Sequence, residues 1–431
     1  MKESPLTVPM NATASRFMAC HECAQLHDVP PVPSGASVRC DRCDGVILKY
    51  RVDGLKRAAA FNLAATLFFC LSLTQPIMVI EIAGRRQAAG LLTGIESFWN
   101  DGIWELSIVV ALTTLAVPGV RLLLLTMVFA DLSRRKPARF ISRLYAYASF
   151  LDVWAMIEIY ILGLFVAYVK LLDLARVEIG PGFWFLTAQM MATIATTTSI
   201  DRQTIWSEFE RRQVAGQSPA FDPNGAYCRC HVCGLTANIH SSDDKCPRCG
   251  FALHHRKINS LNRTWALVIA AIILYLPANI YPVMTVIMFG KGEPHTILNG
   301  AIELAEAGMI PLAALVFFAS VVVPVLKISG LIFLLVSVRR GPKAQPRSHT
   351  KLYRIVEFIG PWSMIDIFMT SILVALVQLG AVASITPGVG AISFAGVVIL
   401  TMFAAMSFDT RLLWDAAERP SAATVDQAVQ I

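Results

Sequence analysis

The sequence predicts an all-α polytopic membrane protein: two parallel repeats of four transmembrane helices, each preceded by a small cytoplasmic cysteine-rich module. Three observations predict it. The chain is 55% hydrophobic and only 16% charged, with mean hydropathy +0.57. Soluble domains carry nearer ~25% charge, which coats a wet surface, so an ordinary cytosolic enzyme is excluded. The apolar residues gather in eight blocks, each near the ~20 residues that cross ~30 Å of hydrocarbon. An offset of 206 to 210 residues then lays the second half on the first.

The blocks read as spans at 58–83, 103–130, 146–169, 183–205, 264–289, 309–338, 358–379 and 392–413. Segments on one side of that map hold 27 Lys and Arg and the opposite loops hold 5. The positive-inside bias places both termini in the cytoplasm. The net charge of +7 is therefore mostly topology, and a nucleic-acid role recedes. Residues 1–56 are polar and show no cleavable signal peptide.

The repeat is legible residue by residue. Pro76-Ile77-Met78 recurs as Pro282-Val283-Met284. Gly94, Gly102, Pro118 and Arg121 are matched by Gly300, Gly308, Pro324 and Lys327. Farther on, Trp154 to Glu158 aligns with Trp362 to Asp366, and Asp201 and Trp206 with Asp409 and Trp414. Four spans per repeat is an even number, so both copies enter the membrane in the same direction, unlike inverted repeats. The expected domains are a module at 1–56, spans over 57–205, a linker and second module at 206–262, spans over 263–415, and a flexible tail at 416–431. On the far side, Leu91, Leu92, Ile95, Phe98 and Trp99 recur at near-helical spacing. This predicts an interfacial helix, with Trp99 and Trp104 at the headgroups; residues 298–305 match it more weakly.

Nine of the ten cysteines lie in the cytoplasmic segments, and Cys70 lies in a span. A reducing compartment favours metal ligation over disulfides. Cys20 and Cys23 face Cys40 and Cys43 across sixteen residues, and Cys230 and Cys233 face Cys246 and Cys249 across twelve. Two such knuckles offer four thiolates to a tetrahedral Zn²⁺, so each module reads as a zinc ribbon with one structural Zn²⁺ and no open catalytic position. An iron–sulfur centre or dithiol pair does not need this two-plus-two arrangement. Gly234 and Gly250 follow their knuckles where positive φ is wanted, and the first module lacks such glycines. Cys228 reads as a spectator thiol or a substitute ligand. His21 and His231 read as solvent-facing fillers.

An ionisable group at mid-bilayer costs about 2.5–3.5 kcal/mol on insertion scales, so each needs a partner or a wet cavity. Ser320, Pro324 and Lys327 share one face of the sixth span, Ser363 and Asp366 one face of the seventh, and Thr401 lies mid-way along the eighth. A Lys327–Asp366 pair is expected, either as a static helix lock or as a switchable pair in a transport cycle; Lys327 also has the reach to snorkel. The first half keeps Arg121 and Glu158 but shows Leu115-Ala116 and Ala155 where hydroxyls are expected, which suggests one active and one scaffold-like copy. Lys170 and Asp173 form a charge pair one turn apart at the far end of the third span. No Walker loop, Ser-His-Asp set or His-Glu-x-x-His is apparent, and the chain reads as no enzyme.

The order of ribbon, four spans, ribbon, four spans resembles the paraquat-inducible protein A family, which includes the LetA-like proteins of Gram-negative inner membranes. The four knuckles carry the match, with Pro282-Val283-Met284, Gly300, Gly308, Pro324 to Lys327 and Trp362 to Asp366. The resemblance implies a multi-pass protein of the bacterial inner membrane that passes phospholipids to or from a periplasmic MCE-domain tunnel and supports envelope integrity. In that reading Ser320, Lys327, Ser363, Asp366 and Thr401 couple lipid movement to proton flow, and Lys170 and Asp173 support the first copy. The other readings are a stand-alone ion or small-solute transporter, and a non-transporting zinc-bearing anchor or redox sensor.

Overall fold

The computed structural model describes residues 17–30, 36–49, 54–82, 84–134, 137–172, 176–219, 221–239, 244–288, 291–306, 308–341, 345–378 and 383–418. The first module is two antiparallel hairpins, β1 (Phe17–Ala19) with β2 (Leu26–Asp28) and β3 (Ser37–Arg39) with β4 (Val46–Lys49). The first repeat opens with α1 (Gly54–Thr74), the hairpin β5 (Met78–Ile82) and β6 (Arg85–Ala89), and α2 (Thr93–Asn100). Its second span is α3 (Trp104–Val110), a π-turn at Ala111–Ala116 and α4 (Val117–Leu132). Its third span is α5 (Ile141–Leu151), a 3₁₀ turn at Asp152–Trp154 and α6 (Ile157–Leu172). Then come β7 (Arg176–Ile179), α7 (Pro181–Ser199) and α8 (Arg202–Arg211).

The second module carries β8 (Tyr227–Arg229) and β9 (Thr236–Asn238). The second repeat copies the first: α9 (Ser260–Ile280), β10 (Met284–Met288), β11 (Lys291–His295) and α10 (Ile297–Glu306). The sixth span is α11 (Ile310–Phe317), a π-turn at Phe318–Val322 and α12 (Val323–Arg340). The seventh is α13 (Pro346–Ile359), a 3₁₀ stretch at Gly360–Met364 and α14 (Ile365–Leu376). β12 (Ala383–Pro387), α15 (Val389–Ser407) and α16 (Arg411–Glu418) complete it.

Among the described residues seven helices are long and apolar enough to cross a membrane. The fourth-span position is filled by α7, a 19-residue helix without charge. Its Thr187, Gln189, Thr193 and Thr196 to Thr198 leave it less apolar than the others. It packs along α1 as α15 packs along α9. Both π-turns end just before a proline, Pro118 and Pro324. A proline removes an N–H and its ring crowds the carbonyl four residues back, and the widened turn relieves both.

Three expectations change. The third and seventh spans are longer than read, 141–172 and 346–376, and each is broken rather than continuous. The far-side loops form two three-stranded sheets, ordered β6-β5-β7 and β11-β10-β12. Each sheet joins the loop after the first span to the loop after the third, a pairing too distant in sequence for periodicity to show. The backbone N–H of Gly180 donates to Ile77 O at 2.9 Å, and that of Gly388 to Val283 O at 2.8 Å. A Cβ at either glycine would come within 2.3 Å of the Pro76 or Pro282 carbonyl oxygen, so the close approach requires glycine.

The third change concerns α2. It is helical as expected, but it buries Gly94, Ser97 and Phe98 against α14 of the other repeat, while Trp99 and Trp104 are 61% and 53% exposed. It is thus a bracket between repeats with an outward aromatic edge. The tail is helical to Glu418, and the remainder of the expected flexible tail lies outside the described residues. The repeats meet where α6 packs on α14. Every residue of α14 is buried, which makes it the axis of the molecule.

Candidate transport site and metal centres

Four knuckles share one hydrogen-bond scheme. The residue after each second cysteine returns its N–H to the first: Ala24 to Cys20 O, Asp44 to Cys40 O, Gly234 to Cys230 O and Gly250 to Cys246 O, at 2.8–3.0 Å. All four adopt positive φ, between 60° and 76°. The absent glycines of the first module are therefore replaced in place by Ala24 and Asp44, at a modest strain cost.

In each module the four sulfurs lie within 4.8 Å of one another, with closest pairs at 3.5–3.6 Å. A tetrahedron of ~2.3 Å metal–sulfur bonds has edges of about 3.8 Å, so both clusters fit a closed four-thiolate metal site. Cys20, Cys23, Cys40 and Cys43 would hold one ion, and Cys230, Cys233, Cys246 and Cys249 the other. A metal there supplies folding energy and, with no open position, no Lewis-acid site. Cys228 stands on β8 outside the cluster, and burial pushes its thiol up to about 11, which suits a spectator. His21 is exposed and meets Glu22; His231 is exposed and lies 3.3 Å from an Arg411 nitrogen.

Each ribbon sits on the membrane domain that does not follow it. The first ribbon packs on the second repeat. There Arg354 of α13 forks onto Glu22 and also donates to Cys43 O at 2.9 Å, and Thr410 donates to Glu22 O. Arg42 lies 4.4 Å over the Trp414 ring and pairs with Glu418. The second ribbon packs on the first repeat. Arg248 forks onto Glu210 of α8 at 2.7 and 2.8 Å, and Gln203 donates to Gly234 O. The ribbons also touch each other: Ala19 N donates to Thr236 Oγ1, and Arg229 donates to Ala19 O at 2.8 Å. Burial opposes ionisation of Glu22, but hydrogen bonds from His21 and Arg354 outweigh it and hold the carboxyl at about 2.

Within the membrane part, the seventh span breaks where the polar residues stand. Lys327, 1% exposed, donates to Gly360 O at 3.1 Å, and Ser363 reaches the same oxygen at 3.4 Å. The expected Lys327–Asp366 ion pair is not formed. Lys327 projects to the carbonyl freed by the helix break, and Asp366 stands on the next turn inside α14. Asp366 occupies the first turn of α14, where a helix N-terminus favours negative charge, and its Oδ1 is buried without a partner. Its polar neighbours are Ser320 and, from the first repeat, Lys170. Lys170 reaches across to α10, its Nζ 4.0 Å from the place of a Gly300 Cβ. Thr401 is buried and bonds its own helix at Val398 O. Asp173 lies outside the described residues.

The first repeat shows what the sequence reading missed. Arg121 pairs with Asp152 at 2.6 Å, and Asp152 is the counterpart of Gly360. The hydroxyls were placed one residue off. Ser320 Oγ donates to Val316 O and Thr114 Oγ1 to Val110 O, at equivalent positions in the two π-turns. Thr193 is likewise the counterpart of Thr401. Only Ala155 for Ser363 breaks the set, so missing hydroxyls do not mark the first copy as degenerate. Extending the same offset to every polar residue would have found Thr114, Thr193 and Asp152.

Two tandem four-helix membrane repeats, each tied to a four-thiolate ribbon, define the class: a two-repeat polytopic membrane protein with broken helices at its polar centre. The family profile described as Paraquat-inducible protein A matches residues 55–210 and 261–418. The chain belongs to that family. It is 34% identical over 410 residues to "Intermembrane transport protein PqiA" of Escherichia coli (strain K12), covering 93% of this chain and 96% of that one. It is 30% identical over 407 residues to "Lipophilic envelope-spanning tunnel protein A" of the same strain, covering 94% and 93%. It is 26% identical over 442 residues to "Probable intermembrane transport protein" of Haemophilus influenzae, covering 97% and 100%. No solved structure matches the chain.

Proposed function

We propose that this chain is the inner-membrane part of an intermembrane lipid transport system, handing phospholipid to or from a periplasmic MCE-domain tunnel and so supporting envelope integrity. The names of its relatives support transport between membranes. The observation that carries the mechanism is Asp366: a buried carboxyl with an unpartnered oxygen, at the N-terminus of a half-helix, on the element that joins the two repeats. Broken helices at mid-membrane are where transporters bind charge and move.

In this reading Asp366 takes and releases a proton, Ser320 orients it, and Lys170 from the other repeat senses its charge; Asp173, outside the described residues, keeps the supporting role that the family resemblance implies. Lys327 and Ser363 hold the Gly360 carbonyl that the break exposes, and Thr401 lines the neighbouring helix. Both termini face the cytoplasm, and Zn²⁺ fills each ribbon as a structural ion. Transport rather than catalysis is the role this reading assigns, on the names of the relatives.

The test is complementation of a deletion strain. Asp366→Asn, at normal protein level, is expected to lower envelope barrier function at least about tenfold (~1.4 kcal/mol or more), measured as sensitivity to detergent, and purification is expected to bring down an MCE-domain partner. Full complementation by Asp366→Asn would overturn the coupling role, and solute flux in liposomes without any partner would favour a stand-alone transporter.

A further inference from the structure

The first repeat carries Arg121, Asp152 and Glu158 where the second carries Lys327, Gly360 and Asp366, yet the two sets face differently. Lys327, Gly360 and Asp366 are all buried. In the first repeat, Asp152 is 56% exposed at its side chain and Glu158 is exposed. Arg121 is 6% exposed and its Nε is buried without a partner. The three groups lie within electrostatic reach of one another. The Trp154 ring on the same 3₁₀ turn packs against Phe403 of α15 with centroids 5.0 Å apart, so this notch of exposed carboxylates over a buried guanidinium borders the seam between repeats.

Depth decides what the notch is for. Arg121 stands eleven residues before the cytoplasmic end of its span at Leu132, and Asp152 eleven residues after Ile141. At 1.5 Å per residue that is about 17 Å from each end, or about 10 Å inside a ~30 Å hydrocarbon layer. Exposed charges at that depth face hydrocarbon unless a polar group or water fills the opening, and bare exposure is costly. The cluster has one cation and two carboxylates. Among the described residues no cation lies within ion-pair distance of Glu158. A matching ligand therefore brings a primary ammonium for the carboxylates and an anionic oxygen for the unused Arg121 Nε. That is a zwitterion of a phosphate and a primary amine.

We infer that the notch formed by Arg121, Asp152 and Glu158 holds the zwitterionic headgroup of a membrane phospholipid, with its phosphate toward Arg121 and its amine toward Asp152 and Glu158. The inference takes its ligand source from the lipid-transport reading. The net negative charge of the notch selects against a headgroup that is itself net negative, and the outward exposure of Asp152 and Glu158 lets acyl chains stay in the bilayer.

The experiment uses the full chain in nanodiscs of equal phosphatidylethanolamine and phosphatidylglycerol, with retained lipid read by mass spectrometry after mild extraction. The expected result is an ethanolamine-lipid preference of about fivefold (~1 kcal/mol). Glu158→Gln and Arg121→Gln should each bring it near unity, while Glu158→Asp keeps most of it and Asp366→Asn all of it. No preference in the unmodified chain, or an unchanged preference in both charge-removing variants, overturns the inference. Displacement of the lipid by millimolar soluble phosphoethanolamine would assign the notch to a cytosolic ligand and overturn the lipid source. No preference in the unmodified chain while partner-dependent lipid transfer persists sinks the notch alone. A preference retained without any lipid transfer sinks the transport reading instead.

Discussion

The two broken spans are the same sentence written in different surroundings. In the first repeat the break at Asp152–Trp154 leaves Arg121 paired with a carboxylate and Glu158 open to the outside. In the second, the break at Gly360–Met364 leaves Lys327 with a carbonyl and Asp366 enclosed. The cause is position. α14 is surrounded by α6, α2 and its own repeat, whereas α6 meets other protein on one side and keeps Phe165 and Leu172 exposed on the other. Duplication supplied two copies of one motif, and packing gave them two environments. The difference teaches that a motif's chemistry is set by what covers it.

The largest expected effect tests the ribbons that hold the repeats together. Cys23→Ser should lower bound zinc from two ions to one per chain by metal analysis. Structural zinc is worth about 10–16 kcal/mol of folding energy in isolated fingers, so the first ribbon should also become sensitive to protease. Two zinc ions retained in a folded Cys23→Ser protein would break the assignment.

Next, Gly360→Asp makes the second repeat resemble the first. A Cβ at Gly360 meets nothing within 4 Å, so the new carboxylate fits beside Lys327 as Asp152 fits beside Arg121. We expect a thermally stable protein whose barrier function falls about tenfold (~1.4 kcal/mol), because the new carboxylate draws Lys327 from the Gly360 carbonyl it holds; undiminished complementation would argue that this contact has no part in transport. A smaller contrast follows from the same pair. Lys327→Met removes a buried cation that has no carboxylate and should leave stability equal or raise it by roughly 1–3 kcal/mol. Arg121→Met strands a half-exposed Asp152 and should lower stability by about 1 kcal/mol. Melting in detergent measures both, and shifts of the same sign would remove the contrast.

The smallest effect concerns Asp409 and its counterpart Asp201, both just beyond the last span of their repeat. Burial opposes ionisation of both. For Asp409 the Arg411 guanidinium outweighs burial and holds the carboxyl at about 2, from an ordinary 3.8. Asp201 has Gln203 in the place of Arg411, and burial pushes its carboxyl up. A depressed carboxyl contributes stability that is present above pH 3.8 and lost as pH falls through 2. For Asp409 this is about 1–2 kcal/mol. The sign is opposite for Asp201, whose ionisation with rising pH works against the fold. Acid titration by circular dichroism should show Asp409→Asn flattening the low-pH loss, and Gln203→Arg should bring Asp201 below its ordinary range.

Most of the plan was readable from residues near one another in sequence. Apolar runs show spans because hydrocarbon demands them, and knuckle spacing shows metal sites because four sulfurs need two tight turns. The break in the third span was not readable, because Asp152 to Met156 carry no glycine or proline to announce a turn; the break in the seventh is marked by Gly360-Pro361, a signal that the apolar run around it masked. The pairing of Lys327 also escaped, since its partner is a backbone carbonyl and no side-chain pattern marks a carbonyl. Thr114 and Thr193 were visible at the repeat offset and needed only a stricter register.

The sequence by itself therefore determined the class, the repeat, the two thiolate clusters and the polar residues, all of which follow from local composition and spacing. Only the tertiary structure decided that each ribbon docks on the other repeat, that the far-side loops close into sheets, and that Asp366 is enclosed while Glu158 is open. These are contacts between segments far apart in the chain, and which surfaces meet is settled by the packing of whole helices, with α14 at the centre.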